Sequence, residues 1–323
     1  MYSKTAVAST VGVVLGVTVA SLMVNSYRSQ RENKKKKKSR SKRKKVEETK
    51  FLLKDPNAKY DISLVEKKPL TTDTNLLRFK FPNSGEVLGC PTGKHVFLSA
   101  KVNEEMLTRP YSPISDPSVR GFVDFAPIPR FAESRGALHL SLTMANLSIP
   151  EGVVSIHGPW GIVGYKGNGI LSTSESSPTS IHPSSNTQTE AFHYKSFVMI
   201  AGGTGITPIY PIIRAILTNP EDKTGIVLLY ASRDENNIVL KKELDELQEF
   251  NKDQFKLHYV VENASKDSSH ERGQITEELI KKTLPMASKH KAVLLCGPPA
   301  MINFVCIPAV DGLGYSSDQT YIF

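Results

Sequence analysis

Residues 195–217 limit the architecture more than any other stretch. Ser196-Phe197-Val198-Met199-Ile200 is an apolar, strand-like run, and Ala201-Gly202-Gly203-Thr204-Gly205 breaks it before a helical pattern that lasts to Leu217. Three glycines in four positions remove the Cβ atoms that would keep a ligand off the backbone. Thr207 followed by Pro208 reads as a helix N-cap with proline at the first helical position. Free N–H groups and the positive end of a helix dipole then face whatever sits above the strand, which suits a phosphate. No Gly-Lys-Ser/Thr follows, so this is not a P-loop. Pro208 also stands where the third glycine of the usual dinucleotide fingerprint would be. Alone, the turn is as compatible with a tight strand-to-helix connection as with a nucleotide site.

Charge distribution narrows the function. The chain of 323 residues has a formal charge of +9, but 13 of its 41 Lys/Arg and only one of its 32 acidic residues precede Glu47. The remainder carries 28 basic against 31 acidic groups, which argues against nucleic-acid binding by the body of the protein. Cys90, Cys296 and Cys306 are scattered, with neither zinc-site spacing nor an even disulfide framework. Buried thiols in a reducing compartment fit all three, and no metal site is indicated.

Residues 5–27 carry no charge, a length that can cross a bilayer core of roughly 30 Å. A signal peptide would have its positive region before a shorter apolar core. Here the positive run follows, with Arg28, Arg31, residues 34–38, Arg40 and residues 42–45. The positive-inside rule keeps that flank and all that follows on the cytoplasmic side. A spanning anchor over 1–27 and a basic linker over 28–50, suited to anionic lipid headgroups, are the expectation.

The body begins near residue 51. Stretches 60–69, 76–81 and 95–102 are short apolar runs separated by Pro, Gly, Asn and Asp, which predicts a small antiparallel β-barrel over 51–170. A Ser/Thr-rich stretch with Pro178 and Pro183 predicts a linker loop over 171–194. Over 195–323 apolar strands (197–201, 226–231, 255–261, 292–296) alternate with helices (208–217, 239–250, 276–282). That alternation predicts a doubly wound α/β domain with a parallel sheet. Ligands bind such sheets outside the carboxyl ends of the strands. Two narrow turns lie there, at Gly202 and at Cys296-Gly297-Pro298-Pro299-Ala300-Met301.

Six stretches together carry a resemblance: Pro91-Thr92-Gly93-Lys94-His95, Arg109-Pro110-Tyr111-Ser112-Pro113, Gly158-Pro159-Trp160-Gly161, residues 199–208, residues 296–301 and the terminal Phe323. In this order and spacing the chain resembles the NADH–cytochrome b5 reductases, the membrane-anchored branch of the ferredoxin–NADP reductase-like flavoproteins. The resemblance covers nearly all of 55–323. It implies a barrel that binds FAD, a parallel-sheet domain that binds NADH, and electron delivery to cytochrome b5 or another haem protein.

The resemblance also assigns residues. Arg109 and Pro110 would lie on FAD, the arginine as a planar fork that matches a pyrophosphate. Tyr111 would offer an aromatic face to the flavin, and Ser112 a hydroxyl near its reactive nitrogen. Gly202, Gly203, Thr204, Gly205, Thr207 and Pro208 would floor the nicotinamide site, with Thr207 also close to the flavin. Gly297, Pro298 and Met301 would close it from the other side. Cys296 would line the hydride path and not act as a nucleophile, since no base motif accompanies it; a small buried strand residue is an equal reading. Glu262 stands where the family has an acid that accepts from the ribose 2′-hydroxyl and repels a 2′-phosphate, with Glu in place of the more usual Asp. Lys94 and Lys166 could meet an acidic haem-protein face.

One stretch departs from the family. After Phe125 it expects a strand with Lys and Tyr, then a Gly-rich turn with Met-Ser that holds the FAD pyrophosphate. Here Ala126-Pro127-Ile128-Pro129-Arg130-Phe131 places two prolines where ladder donors belong. Only Gly136, with Ser141 or His139, could stand in for the turn. The expectation is therefore a membrane-anchored flavoprotein reductase facing the cytoplasm from the endoplasmic reticulum or outer mitochondrial membrane. Its alternatives are the same flavoenzyme with a quinone acceptor, and a silent tethered scaffold that has lost FAD.

Overall fold

Period-two alternation builds the first half. In the computed structural model, which describes residues 49–102, 105–127, 146, 152–173 and 190–323, six strands form an antiparallel sheet. These are β1 (Tyr60–Pro69), β2 (Asn75–Lys80), β3 (His95–Val102), β4 (Glu105–Tyr111), β5 (Phe122–Phe125) and β6 (Val153–Trp160). Their order is β4-β3-β6-β1-β2-β5. Ile62, Leu64, Leu77 and Phe79 are buried, while the intervening Ser63 and Arg78 are more exposed, as expected where one face covers a core. Val96, Leu98, Val123, Phe125, Val154 and Ile156 complete that core. The rings of Tyr111 on β4 and Phe125 on β5 meet edge to face at 6.4 Å. The two edge strands therefore approach each other, and the sheet is rolled into a barrel.

A small antiparallel sheet follows, of β7 (Val163–Tyr165), β8 (Ile170–Thr173) and β9 (Glu190–His193). The stretch expected as a loop over 171–194 thus begins and ends as strand, with Leu171, Ser172 and Tyr194 buried. Leu171 and Tyr194 join the core of the second half, and residues 174–189 lie outside the described residues.

The second half is a parallel sheet of β10 (Ser196–Gly202), β11 (Gly225–Ser232), β12 (Phe255–Val261), β13 (Glu271–Arg272), β14 (Lys291–Cys296) and β15 (Thr320–Ile322). The order is β13-β12-β11-β10-β14-β15. Strand β10 is an unbroken apolar run because both of its faces are covered. Phe197 and Met199 join a cluster with Ile209, Ile213 and Leu244, from α1 (Ile206–Leu217) and α2 (Lys241–Phe250). Val198 and Ile200 join the opposite cluster, with Ile280 of α3 (Glu277–Thr283) and Ile302, Ala309 and Val310 beyond β14. This is the expected doubly wound arrangement. The chain steps outward from β10 to β11 and β12, then returns to the other side of β10 as β14. That reversal makes the carboxyl ends of β10 and β14 the switch point where such sheets bind ligands.

Thr207 is not the helix cap. A 3-10 turn, Gly203–Gly205, already redirects the chain, so α1 starts at Ile206 with Gly205 as its N-cap. Thr207 lies inside the first turn and donates its hydroxyl to the Thr204 carbonyl at 3.0 Å. Pro208 follows at the third helical position, where no intrahelical donor is needed. Among the described residues no helix is long and apolar enough to cross a membrane. The expected anchor over 1–27, and the linker over 28–50 up to residue 48, lie outside the described residues.

Candidate functional site

The sheet side of the candidate site is made of backbone. A Cβ on Gly202 would stand 2.8 Å from Met301 Cε and 2.9 Å from Pro298 Cδ, and one on Gly297 would stand 2.5 Å from Met301 Cε. A Cβ on Gly205 would overlap the Cys296 carbonyl group. Two strand ends therefore touch through peptide groups, with Pro298 and Met301 against the Gly202 turn. Gly203 has φ +53°, the left-handed region that glycine enters readily. Beside this turn, Cys296 Sγ lies 3.8 Å from the Phe323 carbonyl oxygen, which it reaches as a donor. Burial pushes its thiol up to about 12, so at neutral pH it is protonated and lacks the thiolate a nucleophile needs.

The barrel side is made of side chains. β4 is an edge strand, so Pro110, which has no N–H, is tolerated there. Arg109 Nη1 donates to the Thr108 carbonyl at 2.7 Å, using one of the guanidinium's five donors. Tyr111 packs on Phe125, and Ser112 follows half-buried where the strand ends. An arginine fork, an aromatic face and a hydroxyl on nearly consecutive residues are a donor set that fits a flavin dinucleotide.

Helix α1 ties the two sides together. Arg214 donates from Nη1 to the Ile114 carbonyl at 3.3 Å, and its Nη2 pairs with Asp116 Oδ2 at 3.1 Å. The segment leaving Ser112 is thus held seven residues along the helix from Thr207, about 10 Å. A second tie runs from Thr72 Oγ1 to Asn237 Oδ1 at 2.6 Å. A third is the buried Asp222, whose Oδ2 accepts from Tyr165 Oη at 2.5 Å and from the Asn168 N–H at 2.8 Å. Its Oδ1 accepts from Thr224 Oγ1 at 2.6 Å.

Glu262 lies just beyond β12, exposed, with its N–H on the Ser232 carbonyl at 3.1 Å. Its Oε1 accepts from Gln274 Nε2 at 3.0 Å. The end of β12 is two strands away from β10, about 10 Å at the usual spacing of paired strands.

Comparison with known proteins decides the family. The oxidoreductase FAD-binding domain matches residues 61–165, and the oxidoreductase NAD-binding domain matches residues 199–307. NADH-cytochrome b5 reductase 2 of Gallus gallus is 35% identical over 278 residues, 84% of this chain and 88% of that protein. The chain belongs to the NADH-cytochrome b5 reductase family. NADH-cytochrome b5 reductase 1 of Homo sapiens is 34% identical over 314 residues, 95% of this chain and 94% of that protein. The crystal structure of the cytochrome b5 reductase domain of Ulva prolifera nitrate reductase superposes with a TM-score of 0.73 at 29% identity, covering 84% of this chain and all of that one.

In this cytochrome b5 reductase-family chain, the other residues expected at the site, besides Glu262, fall into three groups. Gly202, Gly203, Thr204, Gly205, Thr207, Pro208, Cys296, Gly297, Pro298 and Met301 converge at the switch point, and Arg109, Pro110, Tyr111 and Ser112 lie at the barrel edge. Gly136 and Ser141 lie outside the described residues. Of the two lysines, Lys166 is exposed and Lys94 half-buried, its pKa lowered by burial and then by the charge of Lys166. Arg214, Asp222 and Gln274 were not expected from the sequence. Their partners lie 100, 57 and 12 residues away, beyond any local spacing signal.

Proposed function

We propose that this chain is a membrane-tethered flavoprotein that accepts a hydride from NADH and passes single electrons to cytochrome b5 or a similar haem protein. The observation that carries this reading is the tie, through Arg214 of α1, between the segment that follows Ser112 and the helix that leaves the glycine turn, in a chain whose relatives bear the name NADH-cytochrome b5 reductase. FAD, when bound, supplies the conversion of a two-electron hydride into one-electron steps.

The chain's own residues bind, orient and shield. Arg109 would hold the FAD pyrophosphate with charge-assisted bonds, Tyr111 would cover the ring, and Ser112 would place a donor at its reactive edge. The cleft at Gly202, Gly205 and Gly297 would admit a flat ring close to peptide N–H groups at the start of α1. Thr207, anchored on the Thr204 carbonyl, would stay near both rings. Pro298 and Met301 would confine the nicotinamide, and the protonated Cys296 thiol would fill space there without reacting. Catalysis would then be by positioning, with these residues orienting the bound rings. Glu262 would accept from the ribose 2′-hydroxyl of NADH. Gly136 and Ser141 are proposed for the pyrophosphate turn.

An apolar segment over 1–27, followed by a basic flank, would tether the enzyme to the endoplasmic reticulum or outer mitochondrial membrane. A tether raises the local concentration of a membrane-bound acceptor without tight binding. Stopped-flow mixing of the purified protein with NADH and oxidised cytochrome b5 tests the acceptor. Haem reduction that a soluble quinone does not outcompete supports it, and preferential quinone reduction transfers the reading to a quinone acceptor.

A further inference from the structure

Glu262 is held from two directions. Its own N–H bonds to the Ser232 carbonyl at 3.1 Å, and that of Asn263 to the Arg233 carbonyl at 2.8 Å, which fixes the backbone to the end of β11. On the other side, Val260 and Val261 pair with Glu271 and Arg272 of β13, and the Gly273 N–H donates to the Val261 carbonyl at 3.0 Å. Gly273 has φ +102°, and beyond it the chain brings Gln274 Nε2 to Glu262 Oε1 at 3.0 Å. β13 has only two residues, both exposed, so it adds little to the core. What its pairing achieves is to lay one neutral amide on one carboxylate oxygen.

From this arrangement we infer that Gln274 is a positioning residue that sets the choice between NADH and NADPH. By engaging Oε1 it fixes the Glu262 carboxylate and leaves Oε2 for the ribose 2′-hydroxyl. The inference rests on the ribose role of Glu262 proposed above. Glutamate has one more rotatable bond than aspartate and so more rotamer freedom to lose on binding. An exposed glutamate without a tether samples orientations that neither accept from the hydroxyl nor oppose a 2′-phosphate. A neutral donor suits the task. A lysine or arginine at position 274 would orient the carboxylate equally well but would cancel the charge that repels the phosphate.

The test uses the full-length flavin-loaded protein, ferricyanide as electron acceptor, and calorimetric titration with NAD⁺ and NADP⁺. Gln274→Leu should lower the NADH-over-NADPH ratio of kcat/KM about three- to tenfold, with the same shift in the ratio of dissociation constants. Flavin content, thermal midpoint and kcat with NADH should stay unchanged. In a Glu262→Asp background the same substitution should move the ratio less, because the shorter side chain needs less holding. An unchanged ratio in Gln274→Leu, while Glu262→Gln lowers it, overturns the role of Gln274 and leaves that of Glu262 standing. Equal weakening of both cofactors also overturns it, since that is a structural effect. A ratio unmoved by Glu262→Gln overturns the ribose reading and this inference with it.

Discussion

At the carboxyl ends of β10 and β14 the wall of the candidate site is peptide, and Gly202, Gly205 and Gly297 stand where any Cβ would collide with the facing turn. Along β4 and just beyond it the wall is guanidinium, ring and hydroxyl, supplied by Arg109, Tyr111 and Ser112, where the strand pairs on one side only among the described residues. The two regions should therefore fail differently. Damage to the backbone-built side should break the fold, because the same close approach that admits a ligand also joins two strands. Damage to the side-chain-built side should cost affinity and leave the fold intact, since an edge strand can lose a side chain without losing its neighbours.

The largest effect should come from Gly205→Ala. The added carbon overlaps a strand-end carbonyl that cannot move without shifting β14, so about 3 kcal/mol or more of stability should be lost. A chemical denaturation series on wild type and variant measures it, and a loss under about 1 kcal/mol would show that the two turns are not locked.

Arg109→Ala sharpens the other arm. FAD affinity should fall about tenfold or more, read from flavin retained after dialysis, while the thermal midpoint of the apoprotein stays put. A variant that keeps its flavin would remove Arg109 from the site. Glu262→Gln should be milder, lowering the NADH-over-NADPH preference about tenfold with little change in flavin content. A ratio unchanged from wild type would remove Glu262 from cofactor choice.

The smallest expected effect is a pH dependence centred on the barrel. His95 and His157 flank the ring of Phe97, at 5.4 and 5.3 Å between centroids. Burial, then the charge of Lys94, holds His95 below its ordinary 6.5; burial, then Lys59, does the same for His157. With the folded pKa lowered, the unfolded chain takes up protons first as the solution is acidified. Stability should be unaffected above 6.5 and should fall from there down to the lowered folded values. Thermal midpoints across that window should decline, and less steeply in His95→Gln. An identical decline in the variant would place the sensitivity elsewhere, His258 of β12 being the next group held low by burial.

What the sequence made legible was local. Apolar runs such as 197–201 and 292–296 named their strands because burial on both faces writes a continuous hydrophobic signal, and the glycine turns named the switch point. The helix starts two residues before the position that Thr207 marks, because glycine in a 3-10 turn redirects the chain first. β13 and β15 were missed since two or three residues at a sheet edge carry no period. The ties at Arg214, Asp222 and Gln274 were invisible because each depends on a partner brought near only by the fold. The glycine turns and the consecutive Arg109–Ser112 donors are both written locally; the ties that hold them in place are not.

Both halves of the proposed site would serve one pair of stacked rings, and the absorption spectrum of the purified protein tests that directly. Flavin bands that bleach on anaerobic addition of NADH, and return with oxidised cytochrome b5, are the predicted result. A folded, colourless protein that stays colourless after incubation with FAD would contradict the account.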